Sequence, residues 1–157
     1  MNSQLERFAD LVATVTSRLD GKRLDASLET ELNQTLSPTS ATYGAIFDAC
    51  REAIDDGWMC AREAAGIKFG RVIKPSSRTH GFSVDVVDMH DIAGPHHVHP
   101  NGEIDLVMPV TPGAQFDGYG AGWCVYVANS AHRPTVSGGR ALILYLLPEG
   151  KIEFTER

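Results

Sequence analysis

The residues in this 157-residue chain best equipped for chemistry are its six histidines. Five fall between positions 80 and 99, and the sixth is His132. They are densest in the segment GPHHVHPNGE, from Gly94 to Glu103. On an extended backbone, residues two apart share a face, so His97 and His99 point one way and His96 the other. Glu103 follows His99 across Pro100-Asn101-Gly102, a turn-forming triplet able to fold its carboxylate back toward the two imidazoles. Two neutral imidazoles and a carboxylate, joined by a third imidazole from a distant strand, make a shell for a divalent transition metal with positions left open. Iron, manganese, zinc and nickel all accept that donor set. The three cysteines, Cys50, Cys60 and Cys124, are odd in number and lack metal-ligand spacing, so they read as reduced thiols of a cytoplasmic protein.

The elements that must position these groups change character near residue 66. Upstream, Leu5, Phe8, Leu11, Val12, Val15 and Leu19 repeat at helical spacing, with Ser3 as N-cap and Glu6 completing a capping box. Leu24, Leu28, Leu32 and Leu36 form a second stripe that ends before Ser37-Pro38. A third helix begins near Thr39 or Ser40, carries Ile46, Phe47, Cys50 and Ile54 inward, and stops at Gly57. A short helical piece is expected over Met59–Ala65. Downstream, short runs rich in β-branched and aromatic residues are expected as strands: 67–73, 82–89, 104–109, 123–127, 140–147 and 152–154. Gly-, Pro- and Asn-containing turns separate them. The expectation is an α+β chain, with a helical segment over residues 1–65 and a small antiparallel β-barrel over residues 66–157. No Pro/Gly/Ser linker parts the two, so they should pack as one unit.

Gly94, His97-Val98-His99 and Glu103 resemble the metal-binding part of the first motif of the cupin family, and the stretch from Val127 to His132 resembles the second. In that second stretch Val127 stands where the family has proline and Asn129 where it has the turn glycine, a position asparagine tolerates. The resemblance implies a jelly-roll barrel, a homodimer, and a metal held by His97, His99, Glu103 and His132. A narrower resemblance runs through Phe116-Asp117-Gly118, the block from Gly122 to Tyr126, the block from His132 to Val136, and the block from Leu144 to Gly150. These look like the bacterial 4-hydroxylaminobenzoate lyase family. That resemblance implies conversion of 4-hydroxylaminobenzoate to 3,4-dihydroxybenzoate (protocatechuate) with loss of ammonia, in nitrobenzoate breakdown. A small aromatic carboxylate is then the expected partner, His96 or Tyr126 the expected proton carrier, and Trp123 an expected wall of a flat ring pocket. Arg71, on one face with Phe69 and Ile73, would meet the substrate carboxylate, or else an internal acid such as Asp85 or Asp88. A hydroxylaminobenzoate mutase, a non-heme iron dioxygenase and a non-catalytic ligand-binding cupin fit the same four ligands.

Other classes are excluded on simpler grounds. A formal charge of −6 argues against a nucleic-acid partner. No apolar run reaches membrane-spanning length, and the N-terminus lacks the basic start of a signal peptide. The glycines from Gly118 to Gly122 lack the Lys-Ser/Thr ending of a phosphate loop, and no GxSxG elbow occurs.

Overall fold

A computed structural model describes residues 2–155. Three helices come first, α1 (Ser3–Leu19), α2 (Ala26–Thr35) and α3 (Ala41–Asp55), followed by ten strands. Each helix begins at a side-chain cap: Asn2 accepts from the Gln4 and Leu5 amides, Asp25 from Leu28, and Ser40 from Tyr43. The first cap is therefore Asn2, one residue before the expected Ser3. The stretch expected to be helical after Gly57 is instead extended, and β1 (Arg62–Ala64) pairs with β2 (Ile67–Ile73). Ala65 and Gly66, both at positive φ, make the tight reversal between them.

The larger sheet has seven strands. Its order is β1-β2-β3-β9-β5-β7, with β3 (Phe82–Ala93), β5 (Glu103–Pro109), β7 (Gly122–Tyr126) and β9 (Thr135–Pro148), and β6 (Gln115–Phe116) also pairs with β9. The smaller sheet has the order β10-β4-β8, from β10 (Glu153–Phe154), β4 (His97–His99) and β8 (Ser130–His132). All pairings are antiparallel, and among the described residues no ladder joins the sheets. The architecture is the α+β, jelly-roll type expected, with the barrel left open between its two sheets.

Strand parity divides the interior in two. Val84, Val86, Ile104, Leu106, Met108, Trp123, Leu142, Leu144 and Leu146 form one face of the larger sheet and pack with Phe8, Val12, Val15, Leu28, Leu32 and Ile46 of the helices. The opposite face carries Met89, Val107, Cys124, Ala141, Ile143 and Tyr145, and Ile67, Phe116 and Val136 pack with them. Because both faces are covered, β5 is buried from Glu103 to Met108 and β9 from Ala141 to Leu147, without an exposed alternate face. No helix among the described residues is long and apolar enough to cross a membrane.

Candidate metal centre

Two local devices bring the histidines and Glu103 together. In β4, alternation buries His97 and His99 and leaves Val98 between them on the other face. The register of β4 against β8 then sets His132 directly opposite His97, and Ser130 opposite His99. A tight turn follows β4, closed by the Gly102 amide donating to His99 O at 3.1 Å. Gly102 sits at φ +86°, and a Cβ there would lie 2.7 Å from Tyr126 O, so only glycine fits this reversal. It delivers Glu103 as the first residue of β5, under the two imidazoles.

The donor atoms converge. Glu103 Oε1 is 3.4 Å from His97 Nε2, and Oε2 is 3.3 Å from His99 Nε2 and 3.5 Å from His132 Nε2. His97 Nε2 and His132 Nε2 are 3.1 Å apart. The four donors lie within 4.8 Å of one another. Atoms bound about 2.1 Å from one shared ion stand about 3.0 to 3.4 Å from each other, which matches this spacing.

Hydrogen bonding at the far side of each ring fixes what faces inward. His97 Nδ1 donates to Pro95 O at 3.3 Å. Ser130 Oγ gives its proton to Val127 O at 2.6 Å, so at 3.0 Å from His99 Nδ1 it acts as acceptor. His132 Nδ1 faces Asp117 Oδ2 at 2.5 Å. All three Nδ1 protons are thus engaged outward, and in the neutral rings three Nε2 lone pairs face Glu103. His99 Nε2 and both Glu103 oxygens are buried with no hydrogen-bond partner. Buried, unsatisfied acceptors crowded this closely repel one another unless a cation sits among them, so the residues fit a metal.

The electrostatics point the same way. Burial would raise the Glu103 carboxyl, but the His132, His97 and His99 imidazoles, each within 3.5 Å of it, hold it well below the usual carboxylate range. Burial opposes a charge on His132, yet Asp117 and Glu103 push its pKa up to about 9. A site that draws a proton this strongly draws a metal cation for the same reason. Asp105, next on the same face of β5, is raised well above its ordinary value by burial and by Glu103. Neither of its oxygens makes a hydrogen bond.

Sequence-predicted residues divide by face. His97, His99, Glu103 and His132 meet as expected. Tyr126 is also on this side, its ring 4.5 Å from that of His132 and its hydroxyl donating to Asp117 Oδ2 at 2.8 Å. His96 points out of the cluster and bonds Thr155 Oγ1 through Nδ1 at 2.5 Å. Trp123 lies on the helix-facing side, buried with its indole N–H on Leu36 O at 2.9 Å, and does not line this space. Parity carried both results: 123 and 126 cannot share a face of one strand, nor can 96 and 97. Arg71 turns to an internal acid, with Nε and Nη2 on the two oxygens of Asp85 at 2.8 and 3.2 Å. Asp117 is absent from the sequence-based expectation, because an Asp-Gly pair reads only as a turn.

Comparison with known proteins adds an independent line. The family profile described as 4-hydroxylaminobenzoate lyase matches residues 10–154. A 4-hydroxylaminobenzoate lyase of Pseudomonas putida is 30% identical over 155 residues, covering 88% of this chain and 88% of that protein. Another, from Nocardioides sp. (strain LMS-CY), is 30% identical over 147 residues and covers 88% of this chain and 87% of that one. Among solved structures, an RmlC-like cupin protein of Ralstonia eutropha JMP134 superposes with a TM-score of 0.46 at 12% identity, over 61% of this chain and 64% of that chain.

Proposed function

The chain belongs to the 4-hydroxylaminobenzoate lyase family, and from that premise we propose that it converts 4-hydroxylaminobenzoate to 3,4-dihydroxybenzoate and ammonia with a divalent transition metal held by His97, His99, His132 and Glu103. The observation that carries the metal dependence is the convergence of three imidazole Nε2 atoms on the buried, unsatisfied Glu103 carboxylate. The reaction balances with one water: the substrate's N–O bond holds the oxidising equivalent, so a ring C–O bond can form and nitrogen leave as ammonia without O₂. When bound, the metal supplies Lewis acidity toward an oxygen ligand.

The remaining work falls to the chain. The Nδ1 bonds of the three imidazoles hold their rings against rotation, so the donor set is preorganised. Tyr126 is assigned the proton-carrying role at Oη, since its ring lies 4.5 Å from that of His132 and its hydroxyl donates to Asp117 Oδ2 at 2.8 Å. His96 is not retained as an alternative. Arg71 is the cation assigned to the ring carboxylate: its side chain is 37% exposed and holds Asp85 through Nε and Nη2, with Nη2 also on Gly150 O.

Incubating metal-replete protein with 4-hydroxylaminobenzoate in anaerobic ¹⁸O-labelled water tests the reading. The expected result is turnover with label in the catechol and one ammonia per ring. Turnover that waits for air would replace the lyase with an oxygenase on the same ligands.

A further inference from the structure

We infer that Asp117 is a positioning residue for the metal centre: its carboxylate fixes the tautomer and ring angle of His132, so that Nε2 is presented as a bare donor. The inference rests on the metal-binding reading of His97, His99, Glu103 and His132 given above.

The local backbone does not by itself demand an aspartate here. Phe116 and Tyr119 exchange backbone bonds in both directions at 2.8 Å, enclosing a two-residue turn. Asp117 and Gly118 occupy it at φ +51° and +84°. Asparagine or glycine would serve the first of those positions equally well. An aspartate at such a turn ordinarily leaves its side chain in solvent, whereas this one folds back over the sheet. The Asp117 amide donates to Thr135 O at 2.8 Å, and Oδ1 accepts the Thr135 amide at 2.9 Å. Main chain and side chain are thereby both clamped to one residue of β9. With Oδ1 fixed, Oδ2 has one direction left to face. It accepts the Tyr126 hydroxyl at 2.8 Å and stands 2.5 Å from His132 Nδ1.

A carboxylate only accepts, so the short contact requires a proton on Nδ1, and the neutral ring that a metal would bind then has its lone pair on Nε2. That Nε2 is the atom 3.1 Å from His97 Nε2 and 3.5 Å from Glu103. The other two ligand imidazoles lean on neutral acceptors, Pro95 O and Ser130 Oγ. His132 alone of the three has a charged acceptor. It is also the least enclosed, with its side chain 12% exposed against 2% for His97 and 0% for His99. Packing locks the inner two rings, while the outer ring needs the stronger, charge-assisted tether.

The test uses Zn²⁺ as probe and chelator competition as readout, on wild-type protein and Asp117→Asn. The substitution keeps the shape and the turn but takes away the obligate acceptor. The Zn²⁺ dissociation constant of the folded variant is expected to rise about 10- to 100-fold. A value within about 3-fold of wild type would overturn the inference while leaving the metal reading intact. A merely structural Asp117 would lower the unfolding midpoint without moving that constant. If Asp117→Asn does not fold, ¹⁵N NMR of the wild-type Zn²⁺ form decides: His132 should carry its proton on Nδ1, and a proton on Nε2 refutes the assignment. Wild-type protein that binds no Zn²⁺ at all defeats the metal reading, and this inference with it.

Discussion

Arg71 pairs with one anion in the fold, Asp85, and the proposed substrate would bring it a second. Its pairing with Asp85 is a two-bond contact, yet the arginine side chain is 37% exposed and that of Asp85 only 16%. The buried member is therefore the one that depends on the pair: burial raises the Asp85 carboxyl, and Arg71 counteracts it. Arg71→Leu should lower stability by about 1–3 kcal/mol, the cost of leaving a buried acceptor unpaired. It should also raise KM for the carboxylated ring about 10-fold, one hydrogen-bonded ion contact, while leaving KM for an uncharged ring analogue nearly unchanged. Equal changes in both KM values would confine Arg71 to its partnership with Asp85. At this scale the sequence was most legible where the geometry is local. His97, His99 and Glu103 follow from alternation and one turn. Asp117 was not legible, because its three partners lie 9, 15 and 18 residues away and only the folded sheet assembles them.

Helix α2 does a job that its leucine stripe does not advertise. Strand β7 is the edge of the larger sheet, and an uncovered edge offers free amides and carbonyls to other chains. Asn33 closes it: its Oδ1 accepts the Trp123 amide at 2.8 Å, and its Nδ2 donates to Trp123 O at 2.9 Å. Glu29 Oε1 accepts the next outward amide, from Val125, at 2.9 Å. One helix thus substitutes for a further strand. Gly122 makes the approach possible, since a Cβ there would lie 2.6 Å from Asn33 Oδ1. Asn33→Ala removes both hydrogen bonds to β7, together with one from Nδ2 to Glu29 O, and strands two β7 groups, so a loss of about 2–3 kcal/mol is expected in urea unfolding. A loss below about 0.5 kcal/mol would mean that water replaces the asparagine freely. Leu28 and Leu32 were readable as core from their spacing, whereas the polar partners of an edge strand carry no periodic mark. The segment from Arg62 to Ala64 escaped for a related reason: all three residues are exposed, and it is a strand only because β2 is there to pair with it.

Across the whole molecule, the layer between helices and sheet is sealed by groups that must stay protonated. Burial lifts the Cys60 thiol to about 12 and the Tyr43 hydroxyl to about 12, and it lifts Cys50 further still. Cys60 Sγ donates to Val86 O, and Tyr43 Oη to Val107 O at 2.8 Å, bonds that exist only with the proton in place. The unfolded chain releases its thiol protons near pH 9 and its tyrosine proton near pH 10, while the native state retains them. Above those values the unfolded state binds fewer protons, so stability falls as pH rises. Denaturant unfolding of metal-stripped protein should already decline between about pH 7 and 9, where only the folded chain keeps the His132 proton, and fall more steeply above about pH 9 as the thiols and Tyr43 join, each group adding about 1.4 kcal/mol per pH unit. Tyr43→Phe should remove its share of the slope above pH 10. A flat profile to about pH 11 would contradict the sealed layer.

The four candidate donors are unevenly shared between the sheets: β4 and β8 of the smaller one bring three imidazoles, and β5 of the larger one brings a single carboxylate. With no backbone ladder joining the sheets among the described residues, an ion seated there works as a clasp across a seam. Under the proposed metal reading its residence time would be a clock for the fold: an ion released by parting of the two sheets would report how often the molecule breathes and not only how firmly each donor holds. Any change that stiffens the seam, even far from the histidines, lengthens that interval.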